Sequence, residues 1–107
     1  MVKIVYCITK KPGLSDAEFR RYWKDVHGPI AARIPSVRRY VQNHALARGA
    51  EIRPADYDGV AELWFDNMDA LLAAARSPQA MAAIEDETNF IDHSRTAFFV
   101  AEEHQIV

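Results

Sequence analysis

One cysteine, Cys7, rules out an internal disulfide, and a lone thiol does not make a zinc site. There is no basic surplus: 13 lysines and arginines stand against 15 acidic residues, a formal net charge of −2. Nucleic-acid binding draws on a basic excess or stripe, so no nucleic-acid partner is expected. No apolar run approaches the ~18 residues of a membrane span, so no membrane partner is expected either. The opening residues MVKIVYC lack the basic-then-apolar pattern of a secretory signal, which predicts a cytoplasmic protein. The patterns G-x-G-x-x-G, G-x-x-x-x-G-K-[ST] and G-x-S-x-G are all missing, against nucleotide binding and against an α/β-hydrolase. The histidines, His27, His44, His93 and His104, share no ligand-like spacing, so no metal is expected.

What is present is the balance of a soluble globular chain, 50% hydrophobic and 26% charged. With 107 residues, the expectation is a single domain over 1–107 and a core of limited size. That length has no room for a separate cofactor domain.

Residues 2–9 are short, β-branched and aromatic, hence a strand. Ile4, Tyr6 and Ile8 fall on one face, Val5 and Cys7 on the other, and an apolar pattern on both faces predicts a central strand. Ser15 and Glu18 then form a capping-box pattern, with Leu14 and Phe19 placed as a hydrophobic staple. Phe19, Tyr22, Trp23, Val26 and Ile30 recur as a helical stripe. Gly28-Pro29 is expected to kink or end that helix. Residues 36–46 read as a more polar, edge-like strand, and 59–66 as a third strand with Ala61, Leu63 and Phe65 opposite Val60, Glu62 and Trp64. Asp66 or Asn67 caps a helix, Ser77-Pro78 starts another, and residues 96–103 form a last strand.

The order β-α-β-β-α-β predicts an α+β, ferredoxin-like fold: a four-stranded antiparallel sheet with helices on one face. Val60 and Trp64 on the other face would then meet solvent. A second copy covering that face resolves this, so a homodimer with opposed sheets is expected.

Several residues carry chemistry. His27 lies on the buried stripe near a helix end, next to Gly28, which opens access to the ring. It is readable first as a core histidine bonded to a backbone carbonyl, and next as a catalytic acid or base. Tyr6, Tyr22 and Tyr40 are candidate proton donors that also fill cores. Tyr40, Gln42 and His44 share strand parity and put phenol, amide and imidazole in a row, or else face solvent at an edge. Glu62 reads as a catalytic carboxylate or as half of an interface ion pair with a second-strand arginine. Asp92-His93-Ser94 reads as a capped turn, with Asp92 also placeable at a pocket mouth. The alanines at 73–75, 80, 82 and 83 leave space between helix and sheet for a small apolar ligand, unless the layers pack closely.

The run KKPGLSDAEFRRYWKDVHGPIAARIPSVRRYVQNHAL, followed by DGVAELWFD and FIDHSRTAFFVAEEH, resembles the EthD family, named for ethyl tert-butyl ether degradation. The F-x-x-Y-W-x-x-x-H-G spacing from Phe19 to Gly28 is the most specific part. The resemblance implies a dimeric α+β barrel. Relatives in that superfamily include lactone isomerases, polyketide cyclases, dehydratases and monooxygenases with or without haem. Methylmuconolactone isomerases offer an analogy: their first-helix histidine is similar to His27 and their second-strand tyrosine to Tyr40. Leu63 stands where their third-strand motif has cysteine. The tyrosine-histidine dyad of the polyketide cyclases would fall near Ala74 and Ala80 and is absent.

The expectation is an EthD-like protein that binds a small hydrophobic or aromatic-derived metabolite. It would run cofactor-free acid-base chemistry, an isomerisation, cyclisation or dehydration, with His27 and Tyr40 catalytic. Ile4, Tyr6, Phe19, Tyr22, Trp23, His44, Phe65, Leu71, Phe90 and Asp92 are the expected binding residues. The alternatives are a non-catalytic ligand holder for an oxygenase pathway and a monooxygenase-like barrel.

Overall fold

The computed structural model describes residues 1–107. Its strands are β1 (Val2–Ile8), β2 (Arg39–His44), β3 (Gly59–Phe65) and β4 (Ala97–Glu102), in the order β2-β3-β1-β4 with every pair antiparallel. This is the ferredoxin-like arrangement, and β1 is central, as a strand apolar on both faces should be. Ile4 sits opposite Leu63 and Val100, Tyr6 opposite Ala61 and Phe98, and Tyr40 opposite Leu63. These residues make the inner face, toward the helices. β2 is shorter than the expected 36–46: Pro35 and Ser36 form a turn, with Ser36 at a positive φ of 65°, before pairing begins at Arg39.

The first helical stretch starts where the capping box puts it. Glu18 N–H donates to Ser15 Oγ at 3.1 Å, and Ser15 N–H donates to Glu18 Oε1 at 3.2 Å. It runs as α1 (Asp16–Arg21), a π-helical segment (Tyr22–His27) and α2 (Gly28–Ala31). Gly28-Pro29 does not end it. Proline sits directly after the π segment, at the start of α2. The π segment corrects the expected stripe. Of the expected stripe Val26 turns outward and Ile30 is half-buried, whereas His27, also expected inside, and Ala31 are buried. Val26 is 44% exposed.

α3 (Met68–Ala75) is capped by Asn67, and α4 (Pro78–Asp86) by Ser77 with Pro78 at its start. The core lies between these helices and the inner sheet face, with Phe19, Trp23, Phe65 and Phe90 the largest sealed side chains. Gly59 permits one close approach: a Cβ there would lie 2.4 Å from Trp23 Cζ3.

The outer sheet face differs from expectation. Trp64 is only 6% exposed, because Lys3 and Arg39 lie over its ring at 4.9 and 4.6 Å. Long cationic side chains cover apolar surface while keeping their heads wet. Glu62 pairs within its own chain, with Lys3 Nζ at 2.7 Å and Asn43 Nδ2 at 2.9 Å, and not with an arginine. Phe99, opposite Val5 in the β1–β4 ladder, is the open aromatic on this face at 54% exposure. No helix is long and apolar enough to cross a membrane.

Candidate functional site

A cavity of about 400 Å³ lies between the helices and the inner sheet face. Small side chains make the room: Ala31, Ala75, Ala80 and Ala83 line it from the helices, opposite Ile4, Leu63 and Phe65 from the sheet. The alanine-rich helices therefore do leave space, as their composition suggested. Of 16 lining residues, 14 are hydrophobic; the other two are His27 and Glu87.

His27 is 7% exposed and does not bond a backbone carbonyl. Its Nδ1 lies 2.9 Å from Asp86 Oδ2. Tyr22 Oη donates to Asp86 Oδ1 at 2.6 Å and Asn89 Nδ2 donates to the same oxygen at 3.1 Å. Burial works against ionisation of Asp86, yet the hydrogen bonds from Tyr22, His27 and Asn89 outweigh it and hold the carboxyl below its ordinary range. An ionised carboxylate only accepts, so His27 donates from Nδ1. Nε2 is left as the free nitrogen. It has no partner in the chain and is not sealed, and His27 is among the residues that line the cavity. Phe90 packs against the imidazole at 4.7 Å between ring centroids and steadies it.

The π segment is what makes this geometry. Tyr22 and His27 are five residues apart. At 3.6 residues per turn they would point well away from each other. With i→i+5 bonding, seen in Gly28 N–H to Trp23 O, they stand over one another and reach the same carboxylate.

Tyr40, Gln42 and His44 lie on the inner face and form a linked row. Gln42 Nε2 donates to Tyr40 Oη at 2.7 Å and to the Trp23 carbonyl at 2.8 Å. Its Oε1 faces His44 Nε2 at 2.9 Å. Burial, with Arg20 and Lys24 nearby, lowers His44, so the neutral ring donates from Nε2. Tyr40 lines the cavity, and burial raises its phenol above the ordinary value, so it stays protonated. Since its oxygen accepts from Gln42, its own hydrogen is free to be given away. The other two candidate donors are committed: Tyr22 to Asp86 at 2.6 Å, and Tyr6 to Glu87 Oε1 at 3.0 Å.

The expected binding residues divide. Ile4, Tyr6, Phe65 and Leu71 line the cavity with His27 and Tyr40. Phe19, Trp23 and Phe90 are sealed at 2%, 1% and 0% exposure and stand behind the wall as core. Trp23 is wedged between Phe19 and the His44 ring, which stacks on it at 4.3 Å. His44 thus buttresses the wall and is not part of it. Tyr22 is spent on Asp86. Asp92 is not at the pocket: it accepts from Ser94 N–H at 3.0 Å and Ser94 Oγ at 2.6 Å, capping the 3₁₀ turn His93–Arg95. Asp86 and Glu87 were missed. Their signal was two carboxylates at the end of α4, where the helix dipole opposes negative charge and a specific partner is needed. No three His, Cys, Asp or Glu side chains converge as metal ligands would.

A family model described as the EthD domain matches residues 11–94. An EthD family protein from Bacillus halodurans C-125 is similar in structure, with a TM-score of 0.82 at 20% identity, covering 97% of this chain and 99% of that one. SnoaB, a cofactor-independent oxygenase from Streptomyces nogalater, aligns at a TM-score of 0.69 and 17% identity over 99% of this chain and 95% of its own. A dimeric ferredoxin-like protein of unknown function from Thermobifida fusca YX aligns at 0.70 and 13% over 94% and 88%. No curated protein matches the chain in sequence.

Proposed function

Because the chain belongs to the EthD family, we propose that it binds a small, largely apolar carbonyl compound and moves a proton on it without a cofactor. One observation carries this: an imidazole paired at Nδ1 with an ionised carboxylate, its Nε2 unpartnered, on the wall of a largely apolar cavity. Nε2 takes a proton from carbon beside the carbonyl. Asp86 stabilises the imidazolium that forms and holds the tautomer that leaves Nε2 basic. The Tyr40 hydroxyl donates to the developing enolate oxygen. Returning the proton to another carbon is an isomerisation. Expelling a neighbouring hydroxyl is a dehydration, and attack on a second carbonyl is a cyclisation. The same first step serves oxygenation, the activity SnoaB is named for, when dioxygen meets the carbanion.

The protein also acts as a homodimer in this reading. The Thermobifida relative is dimeric, and Phe99 leaves an aromatic patch on the sheet face away from the helices.

The test uses 2-tetralone, an aromatic-fused ketone, in D₂O with NMR as the readout. The protein should speed deuterium uptake next to the carbonyl, and His27→Gln should lose ~10²–10⁴ of that acceleration. Equal rates for the two proteins would sink the base assignment. Saturable binding with no accelerated exchange would replace catalysis by ligand holding.

A further inference from the structure

Glu87 is the one carboxylate on the cavity wall, and acid-base chemistry at His27 does not use it. Its side chain is 14% exposed. Oε1 accepts from Tyr6 Oη at 3.0 Å and lies 3.0 Å from His93 Nε2. Two groups thus fix the carboxyl from β1 and from the turn before β4, so its position is built in rather than that of a wandering surface side chain. Oε2 has no partner in the chain and is not sealed from solvent. Burial, and then the neighbouring Glu87 charge, push the Tyr6 phenol far up, so Tyr6 stays a donor to Oε1 and cannot itself supply a proton to a ligand.

We infer that Glu87 Oε2 is the specificity anchor for a hydroxyl on the ligand, so that the natural ligand is an apolar skeleton carrying a phenol or enol O–H as well as its carbonyl. This rests on the proposed cavity function and adds the substrate's second polar group. The chemistry selects a hydroxyl. An ammonium carries three donors and needs three acceptors, whereas Glu87 offers one vacant oxygen, which matches one O–H, and the Tyr6 hydroxyl beside it is already engaged with Oε1. A ligand without a donor at that point would strip water from Oε2 and give nothing back.

The experiment compares Kd for 2-naphthol and for its methyl ether, 2-methoxynaphthalene. A hydrogen bond to a charged group corresponds to roughly a 10- to 100-fold preference for the naphthol in the wild-type protein. In Glu87→Leu the preference should fall to about one while the ether still binds. In Glu87→Gln, which keeps an oxygen acceptor and preserves folding if the leucine variant does not fold, it should fall several-fold. An unchanged preference in a folded Glu87 variant overturns the inference and leaves the cavity reading standing. A preference lost in His27→Gln but kept in the Glu87 variants assigns the hydroxyl to His27 and also overturns it. Failure of both probes to bind the wild-type protein overturns the cavity reading, and the inference with it.

Discussion

Replacing Gly59 by alanine tests the packing that positions the site. The added Cβ would lie 2.4 and 2.6 Å from Trp23 Cζ3 and Cη2, and 2.7 Å from the Asn43 carbonyl oxygen. Carbon atoms rest at ~3.5 Å or more, so the indole would have to retreat by about 1 Å. It has nowhere to go. Trp23 is 1% exposed, with Phe19 on one side and the His44 ring stacked on the other. Overpacking costs ~1–3 kcal/mol, and a sealed ring against a strand puts this case at the upper end, about 3 kcal/mol. For a chain of this size that is a fall in Tm on the order of 10–20 °C. Urea unfolding followed by far-UV circular dichroism checks it: the midpoint should drop with the slope unchanged. Trp23→Phe removes both clashing atoms, so the double variant should recover ~1–2 kcal/mol relative to additivity, the Asn43 contact keeping recovery partial. A Gly59→Ala protein within ~1 kcal/mol of wild type, or a coupling near zero, would refute the argument.

Asp86→Asn should alter the pH dependence of stability. The folded carboxyl lies below its ordinary value of 3.8, so its contribution is present above that value and is lost as pH falls through the lowered one. Urea midpoints from pH 7 to pH 3 should start lower in the variant and fall less steeply at the acid end; parallel curves would contradict the assignment. Phe99→Glu should convert the proposed dimer to a folded monomer by analytical ultracentrifugation, since a carboxylate on an opposed-sheet interface would be buried without a partner; an unchanged sedimentation coefficient would count against that face.

Most of the fold was legible because its signals are local. The Ser15-Glu18 box, the Asn67 and Ser77 caps and the alternation of Ala61, Leu63 and Phe65 each depend on neighbours in sequence. What was not legible depends on distant partners. A 3.6-residue period placed Val26 inside, but the π segment turns it out, and nothing local within residues 22–27 announces the change. His27 was singled out from the first helix alone, whereas its partner Asp86 is 59 residues away. Asp92 was expected near the site because of its chemistry, but a carboxylate two residues before a serine N–H satisfies itself locally. Phe19, Trp23 and Phe90 were expected on the cavity wall because hydrophobic side chains line pockets and fill cores alike. Only packing separates the two, and it seals these three while the alanines open the space. Trp64 was expected to need a second copy to cover it, because strand parity ignores what long neighbouring side chains do to cover a ring.

The wide turn at Tyr22–His27 has a consequence for the order of assembly. Left to itself a helix chooses the tighter hydrogen-bond ladder, and the capping box can start that helix early, from local contacts alone. The wide turn is held by a carboxylate that lies 59 and 64 residues later in the chain, at the end of α4 on the second crossover. The orientation of His27 therefore depends on a contact between distant parts of the chain. The capped start of α1 needs only neighbours in sequence, whereas aiming the imidazole requires the two crossovers to dock on each other, at the entropic cost of closing a long loop.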